Sequence, residues 1–148
     1  MPSAPEPSFQ TTLLVRDTCL CLHAQRAARA LARRFDDALR PAGLTSGQFS
    51  LLMSLNRPEP PSIAQVAALL TMDRTTLTAN LKPLERRGLV EVRTHDRDKR
   101  RRILGLTPSG RTLLAAAVPI WQRTHHAIES LLAPSSPGRL RADLLALS

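Results

Sequence analysis

The chain has 148 residues, of which 43% are apolar and 22% charged, enough for one domain with or without an added association element. Aromatics amount to 3% with no tyrosine, so the core has to be built from Leu, Ala, Val and Ile. A net charge of +9 points to an anionic partner, and the lack of any apolar run near the ~20 residues of a bilayer span argues against a transmembrane protein.

Residues 1–8, MPSAPEPS, carry three prolines and neither the basic nor the apolar region of a signal peptide. They read as a short flexible tail. From Phe9 to Leu39 the pattern predicts one long helix, with Leu20, Ala24, Ala27, Leu31, Phe35 and Ala38 as its apolar stripe. Arg26, Arg29, Arg33 and Arg34 supply its solvated side. Pro41 and Gly43 close it. Thr45 and Gln48 form a capping box that opens a helix carrying Phe49, Leu51, Leu52 and Leu55. The proline-rich turn Asn56–Pro61 ends that helix.

A second capping box, Ser62 with Gln65, starts a helix with Ile63, Val66, Ala67 and Leu70 on one face. After a break at Thr71–Met72, Asp73 is a good N-cap for a further helix running from Arg74 to about Arg87. Leu77, Leu81 and Leu84 face its core, leaving Thr75, Thr76, Thr78, Ala79 and Asn80 on or near the outer side. Pro83 removes one backbone hydrogen bond and predicts a local bend. Gly88 stops the helix. Two strands follow, Leu89–Arg93 and Arg101–Leu106, bracketing a basic loop. Between Arg74 and Arg102 there are ten Lys or Arg against four Asp or Glu, so most of the net charge lies in this segment. Because that charge sits on a helix and hairpin pattern, nucleic acid fits it better than an anionic membrane.

Thr107–Pro108 is a favourable helix start. Leu113, Leu114, Ala117, Trp121, Ile128 and Leu131 continue the apolar pattern past a bend expected at Pro119. Pro134–Gly138 reads as a loop and Arg139–Leu147 as a last short helix with Leu140, Leu144 and Leu147. No phosphate-binding glycine loop, nucleophile elbow or zinc-protease motif occurs. His125 and His126 are adjacent and point about 100° apart on a helix. The expectation is a non-enzyme without cofactor or metal, in the cytoplasm.

Helix, turn, helix and basic hairpin resemble a winged helix-turn-helix, and the residues resemble the MarR family of bacterial transcription regulators. The run Asp98-x-Arg100-x-x-x-Leu104-x-Leu106-Thr107 is similar to that family's wing signature. Asp73-Arg74-Thr75-Thr76-Leu77-Thr78 and Leu84-Glu85-Arg86-Arg87-Gly88-Leu89-Val90 are similar to its recognition helix and exit. The resemblance implies a mainly α fold with a small β-hairpin: residues 45–107 as the winged DNA-binding part, 9–40 and 108–148 as dimerisation helices. Two copies related by twofold symmetry would bind a near-palindromic double-stranded operator, with half-sites roughly 10 bp apart.

The same resemblance places the start of the Arg74 helix in the major groove. Ser62, Arg74, Thr75, Thr76, Thr78 and Asn80 are the candidates for base or phosphate contact, with Asn able to pair with adenine and Thr to touch a thymine methyl. Lys82 and Arg86 are phosphate contacts or solvated. Arg97, Lys99 and Arg100 of the wing would reach a minor groove, with Asp98 orienting Arg100 through a carboxylate–guanidinium contact. Many relatives of the family release DNA on binding a small aromatic, often anionic molecule. Here Cys19, His23, Arg26, Phe49 and Met53 would form that effector site, His and Arg holding a carboxylate and Phe and Met covering a ring.

Cys19 and His23 share one face of the expected helix, while Cys21 points nearly opposite, so the three do not make a metal set. Two buried thiols are the leading reading of the pair. An alternative is a redox-sensing regulator, since some relatives sense oxidants through a cysteine on the first helix, paired there with tyrosines that this chain lacks. A third reading is a DNA-compacting protein without sequence preference, governed almost wholly by salt.

Overall fold

The computed structural model describes residues 5–148, so residues 1–4 of the expected tail lie outside the described residues. The chain is mainly helical with one two-stranded antiparallel hairpin. In order, the elements are α1 (Phe9–Thr18), α2 (Leu20–Leu39), a 3-10 turn (Arg40–Ala42), α3 (Ser46–Leu55), α4 (Ile63–Leu69) and α5 (Arg74–Arg86). Strands β1 (Val90–Thr94) and β2 (Arg102–Leu106) and helices α6 (Pro108–Ser130) and α7 (Pro137–Ala146) follow.

Both capping boxes form. Thr45 and Ser62 each accept from the amide of the glutamine three residues on, and each glutamine side chain accepts from the cap's own amide. Satisfying these otherwise free donors fixes where α3 and α4 begin. Between α4 and α5 the chain turns through Thr71, whose φ of 50° is left-handed. Gly88, at φ 70°, makes the equivalent exit from α5 without the penalty a Cβ would bring. Helix α5 runs through Pro83, and α6 through Pro119, each as one uninterrupted helix.

The core is aliphatic, as the composition requires. Leu39 from α2, Leu52 from α3, Val66 from α4, Leu77, Leu81 and Leu84 from α5, Leu104 from β2 and Ala117 from α6 are all almost fully buried. The hairpin pairs Val90 with Leu106 and Thr94 with Arg102. Its second strand is tied to the segment ahead of α4, where the Leu104 amide donates to the Pro61 carbonyl (2.9 Å) and Ser62 bridges Ile103. The wing is therefore attached to the helix-turn-helix by backbone bonds as well as packing.

Four expectations are corrected. The first helix is two helices, because Cys19 leaves helical geometry (ψ 110°) and caps α2, its sulfur accepting from the Leu22 amide. Thr18, bonding back to the Leu14 carbonyl, sits at the end of α1, a placement that competes with helix propagation. The stripe expected along this segment is also unevenly buried: Phe35 and Ala38 are half-buried, while Leu20 is 70% exposed. At the other terminus the loop lies earlier than expected, at residues 131–136, because α6 ends at Ser130, Ser136 caps α7 and Pro137 occupies its first turn, where a missing amide costs nothing. Nor are the thiols buried: Cys19 is half-buried and Cys21 exposed.

Candidate nucleic-acid interface

Helix α5 presents three distinct sides. Leu77, Leu81 and Leu84 face the core. Thr75, Ala79, Lys82 and Arg86, spaced three or four apart, form the outermost side and are exposed. Arg74 and Thr78, one turn apart, flank a cleft of about 540 Å³ shared with the first turn of α4 and with Arg100, Arg101 and Arg102. Gln65 and Ser62 line the same cleft. Four arginines thus line one concave surface, together with the polar residues Ser62, Gln65 and Thr78. Such a surface is suited to an anion and carries no catalytic constellation.

The start of α5 is rigidly built. Asp73 accepts from both the amide and the hydroxyl of Thr76, each at 2.8 Å. Those bonds, the backbone one first, hold its carboxyl below the ordinary carboxylate range. Thr78, which is exposed, donates its hydroxyl to the Arg74 carbonyl (2.8 Å). The opposite flank is different in kind. Asn80 directs its amide toward the Met72 sulfur (3.6 Å) and lines a small recess with Thr45, Gln48 and Pro83. It therefore sits on the side of the helix facing α3, away from the arginine cleft.

In the wing, the Asp98 carboxylate accepts from the backbone amide of Arg100 (3.0 Å). This replaces the expected carboxylate–guanidinium contact: no ion pair joins the two side chains among the described residues. A short acid two residues before the amide reaches the backbone more readily than it reaches a long guanidinium. His95 caps the loop from the other side, its Nδ1 meeting the amides of Arg97 (3.1 Å) and Asp98 (3.2 Å). Arg97, Lys99 and Arg100 remain exposed at the tip.

Ser62 is 6% exposed and serves as a helix cap, so its place in the cleft is structural as well as polar. Sequence reasoning left out Gln65, Arg101 and Arg102. In the sequence the two arginines stand at the start of a strand pattern, although they continue the basic run of the wing.

The effector candidates are not brought together within one chain. His23 and Arg26 lie on the exposed face of α2, alongside Arg29 and Arg33, and Cys19 stands at the α1–α2 break. Phe49 and Met53 line a separate cavity of about 440 Å³ between α3, the end of α4 and α6. There Phe49 stacks on Trp121, with ring centroids 6.3 Å apart and planes 14° from parallel. Trp121 in turn stacks on His125 (4.7 Å), whose Nδ1 lies 3.8 Å from Glu129. Trp121 was legible only as a core position, because nothing in its spacing pairs it with Phe49.

A recognition helix, a β-wing tied to it and a shared cationic cleft define a DNA-binding winged helix. The profile of the MarR family matches residues 44–101. The transcriptional repressor MprA of Escherichia coli K12 is 31% identical over 134 residues, 89% of this chain and 73% of the relative. Among solved structures, the Mycobacterium tuberculosis transcriptional regulator MosR in complex with DNA is 37% identical with a TM-score of 0.80, over 88% of this chain and 93% of that one. A transcriptional repressor CouR, bound to a 23-mer DNA duplex, gives a TM-score of 0.80 at 27% identity, over 97% and 99% of the two chains. The chain belongs to the MarR family of transcription regulators. No helix among the described residues is long and apolar enough to cross a membrane.

Proposed function

We propose that this protein is a homodimeric, sequence-specific repressor that binds a near-palindromic operator and is released by a small effector. The observation that carries the DNA-binding reading is the cleft that gathers Arg74, Arg100, Arg101 and Arg102 beside the exposed threonines of α5. Phosphates held there would orient the helix, while Thr75 and Thr78 meet base edges. Wing residues Arg97, Lys99 and Arg100 extend to an adjacent minor groove. On this reading the protein is cytoplasmic and not an enzyme.

The dimer is supported by what the single chain leaves uncovered. Helices α1 and α7 bury no residue, and Phe9, Leu20, Leu145 and Leu147 are each at least 67% exposed. Helices this short are marginal without tertiary packing, and apolar side chains left uncovered on them call for a partner. We read residues 9–40 and 108–148 as the dimerisation part and 45–107 as the DNA-binding part. An effector would act by preferring one spacing of the two α5 helices over another, since only differential affinity shifts such an equilibrium.

Binding to the protein's own upstream DNA against a scrambled duplex, at fixed physiological salt, tests the reading. A preference of about 10³-fold or more is expected of a specific regulator. Equal binding to operator candidates across the genome and to scrambled DNA would instead favour a compacting protein.

One observation favours a second, redox-sensing reading: Cys19 stands outside helical geometry, two residues from an exposed Cys21. Accessibility is a prerequisite for oxidation by a hydroperoxide. If it operates, oxidant releases DNA and Cys19→Ser or Cys21→Ser abolishes the response.

A further inference from the structure

Resting on the homodimer reading, in which two α5 helices must fit two half-sites at once, we propose that Arg87 is a positioning residue for DNA recognition. It anchors the far end of α5 to the turn after α2 and so sets the angle at which α5 meets the operator. Arg87 is the C-cap of α5, and its guanidinium donates to the Gly43 carbonyl (2.9 Å), 44 residues away in the chain. Among the described residues this is the one hydrogen bond that joins the end of α5 to the segment from α2 to α3.

Both ends of the bond are fixed. Gly43 closes the 3-10 turn after α2 in a left-handed conformation (φ 69°), its own amide donating to the Arg40 carbonyl (2.8 Å). Leu39 and Leu44, on either side of this turn, are buried in the core. The Asp36 carboxylate of α2 accepts from the Ser46 amide (2.6 Å), which ties the start of α3 to α2. At the other end the Arg87 amide donates to the Pro83 carbonyl (3.1 Å), and the Gly88 and Leu89 amides close the last turn of α5. A planar guanidinium spanning two fixed backbones restricts their relative angle. Arg87 is otherwise uncommitted: it is exposed and makes no ion pair among the described residues.

Arg87 also stands about 20 Å along the helix from Arg74, at roughly 1.5 Å per residue, away from the end of α5 that lines the arginine cleft. That distance makes the anchor a lever. Tilting a helix of about 20 Å by about 10° at one end moves the other by about 3.5 Å, close to the rise of one base pair. In a twofold pair of helices such a tilt changes the preferred half-site spacing, while the bases read within each half-site stay the same.

The experiment compares the parent, Arg87→Met and Arg87→Lys on duplexes built from the operator that selection from a randomised pool recovers, with the half-site spacing lengthened or shortened by one or two base pairs. Both replacements are good helix formers at an exposed position, and circular dichroism checks that the fold is kept. By fluorescence anisotropy the parent should prefer its own spacing. Arg87→Met, which keeps the length of the side chain and loses its donors, should narrow that preference by about fivefold. Arg87→Lys keeps a donor and should stay close to the parent. The slope of log affinity against log salt should be the same in all three, since Arg87 meets no phosphate. A spacing preference that Arg87→Met retains in full overturns the proposal, even where affinity falls equally at every spacing. So does a fall of about 0.9 in its salt slope, which makes Arg87 a phosphate contact. Equal tolerance in Arg87→Lys and Arg87→Met overturns the assignment to the Gly43 bond. A selection that recovers no operator, or a parent that binds every spacing alike, overturns the proposed function as well, whereas the other failures leave it standing.

Discussion

The carbonyl of Leu89 occupies the space that a side chain on Gly110 would need. Around this contact the exit from α5, the start of the hairpin and the first turn of α6 are joined. The Thr107 amide donates to the same carbonyl (3.1 Å), and the Thr107 hydroxyl donates to the Gly88 carbonyl (2.6 Å) while accepting from the Gly110 amide (3.0 Å). One carbonyl therefore fixes how α6 leaves the DNA-binding part. Gly110→Ala should lower unfolding stability by about 1–3 kcal/mol, the usual cost of forcing extra volume into a packed site. Thermal denaturation by circular dichroism measures it, and a variant melting with the unaltered protein would refute the contact's importance. Thr107→Ser should keep both bonds and melt near the parent, whereas Thr107→Val should not.

Asp73 makes the start of the recognition helix sensitive to acid. Its carboxyl titrates below the ordinary value because the charged form accepts two bonds from Thr76. A group depressed in the folded state stabilises fully above its unfolded pKa, about 3.9. That contribution is lost as pH falls through the lower folded value. Melting temperatures of the parent and of Asp73→Ala should therefore differ at neutral pH and converge in strong acid. A gap that stays constant across the series would rule out the carboxylate cap. Asp73→Asn, which can cap without a charge, should show a weaker pH dependence than the parent.

The arginine cleft predicts a change in salt dependence. Each phosphate contact contributes about 0.9 to the slope of log affinity against log salt. Removing Arg102 or Arg101 should weaken binding to specific and scrambled duplexes alike and lower that slope by about one. Fluorescence anisotropy over a range of salt concentrations gives the slope directly. If the slope is unmoved, these side chains do not meet phosphate.

Thr75 and Asn80, grouped together by their exposure, should behave differently. Thr75 stands on the outermost side of α5, whereas Asn80 leans toward Met72 and the α3 recess. Thr75→Ala should relax base preference at one operator position by about 1–3 kcal/mol. Asn80→Ala should leave the preferred sequence unchanged. Selection from a randomised duplex pool with each variant distinguishes them, and a shift in preference confined to Asn80→Ala would reverse the assignment.

Much of this protein was written locally. Ser62 with Gln65, Thr45 with Gln48, Asp73 and Thr107 each mark a helix start through bonds spanning three residues or fewer, so neighbouring residues suffice to reveal them. The leucines of α5 gave its buried side for the same reason. The break at Cys19 was hidden because residues 9–39 carry no Gly or Pro, and helical spacing continues across it. At Asp98 the residues of the wing were evident, but backbone geometry chose the Arg100 amide over the guanidinium as partner.

By itself, the sequence determined the order of helices, the basic hairpin and the aliphatic composition of the core, since periodicity and capping act over a few residues. Only the tertiary structure decided that Arg101, Arg102 and Gln65 join Arg74 in one cleft, that Phe49 meets Trp121 across α3 and α6, and that His23 and Arg26 stand elsewhere. These relationships join residues far apart in the chain. They depend on how whole helices pack, which no local pattern encodes.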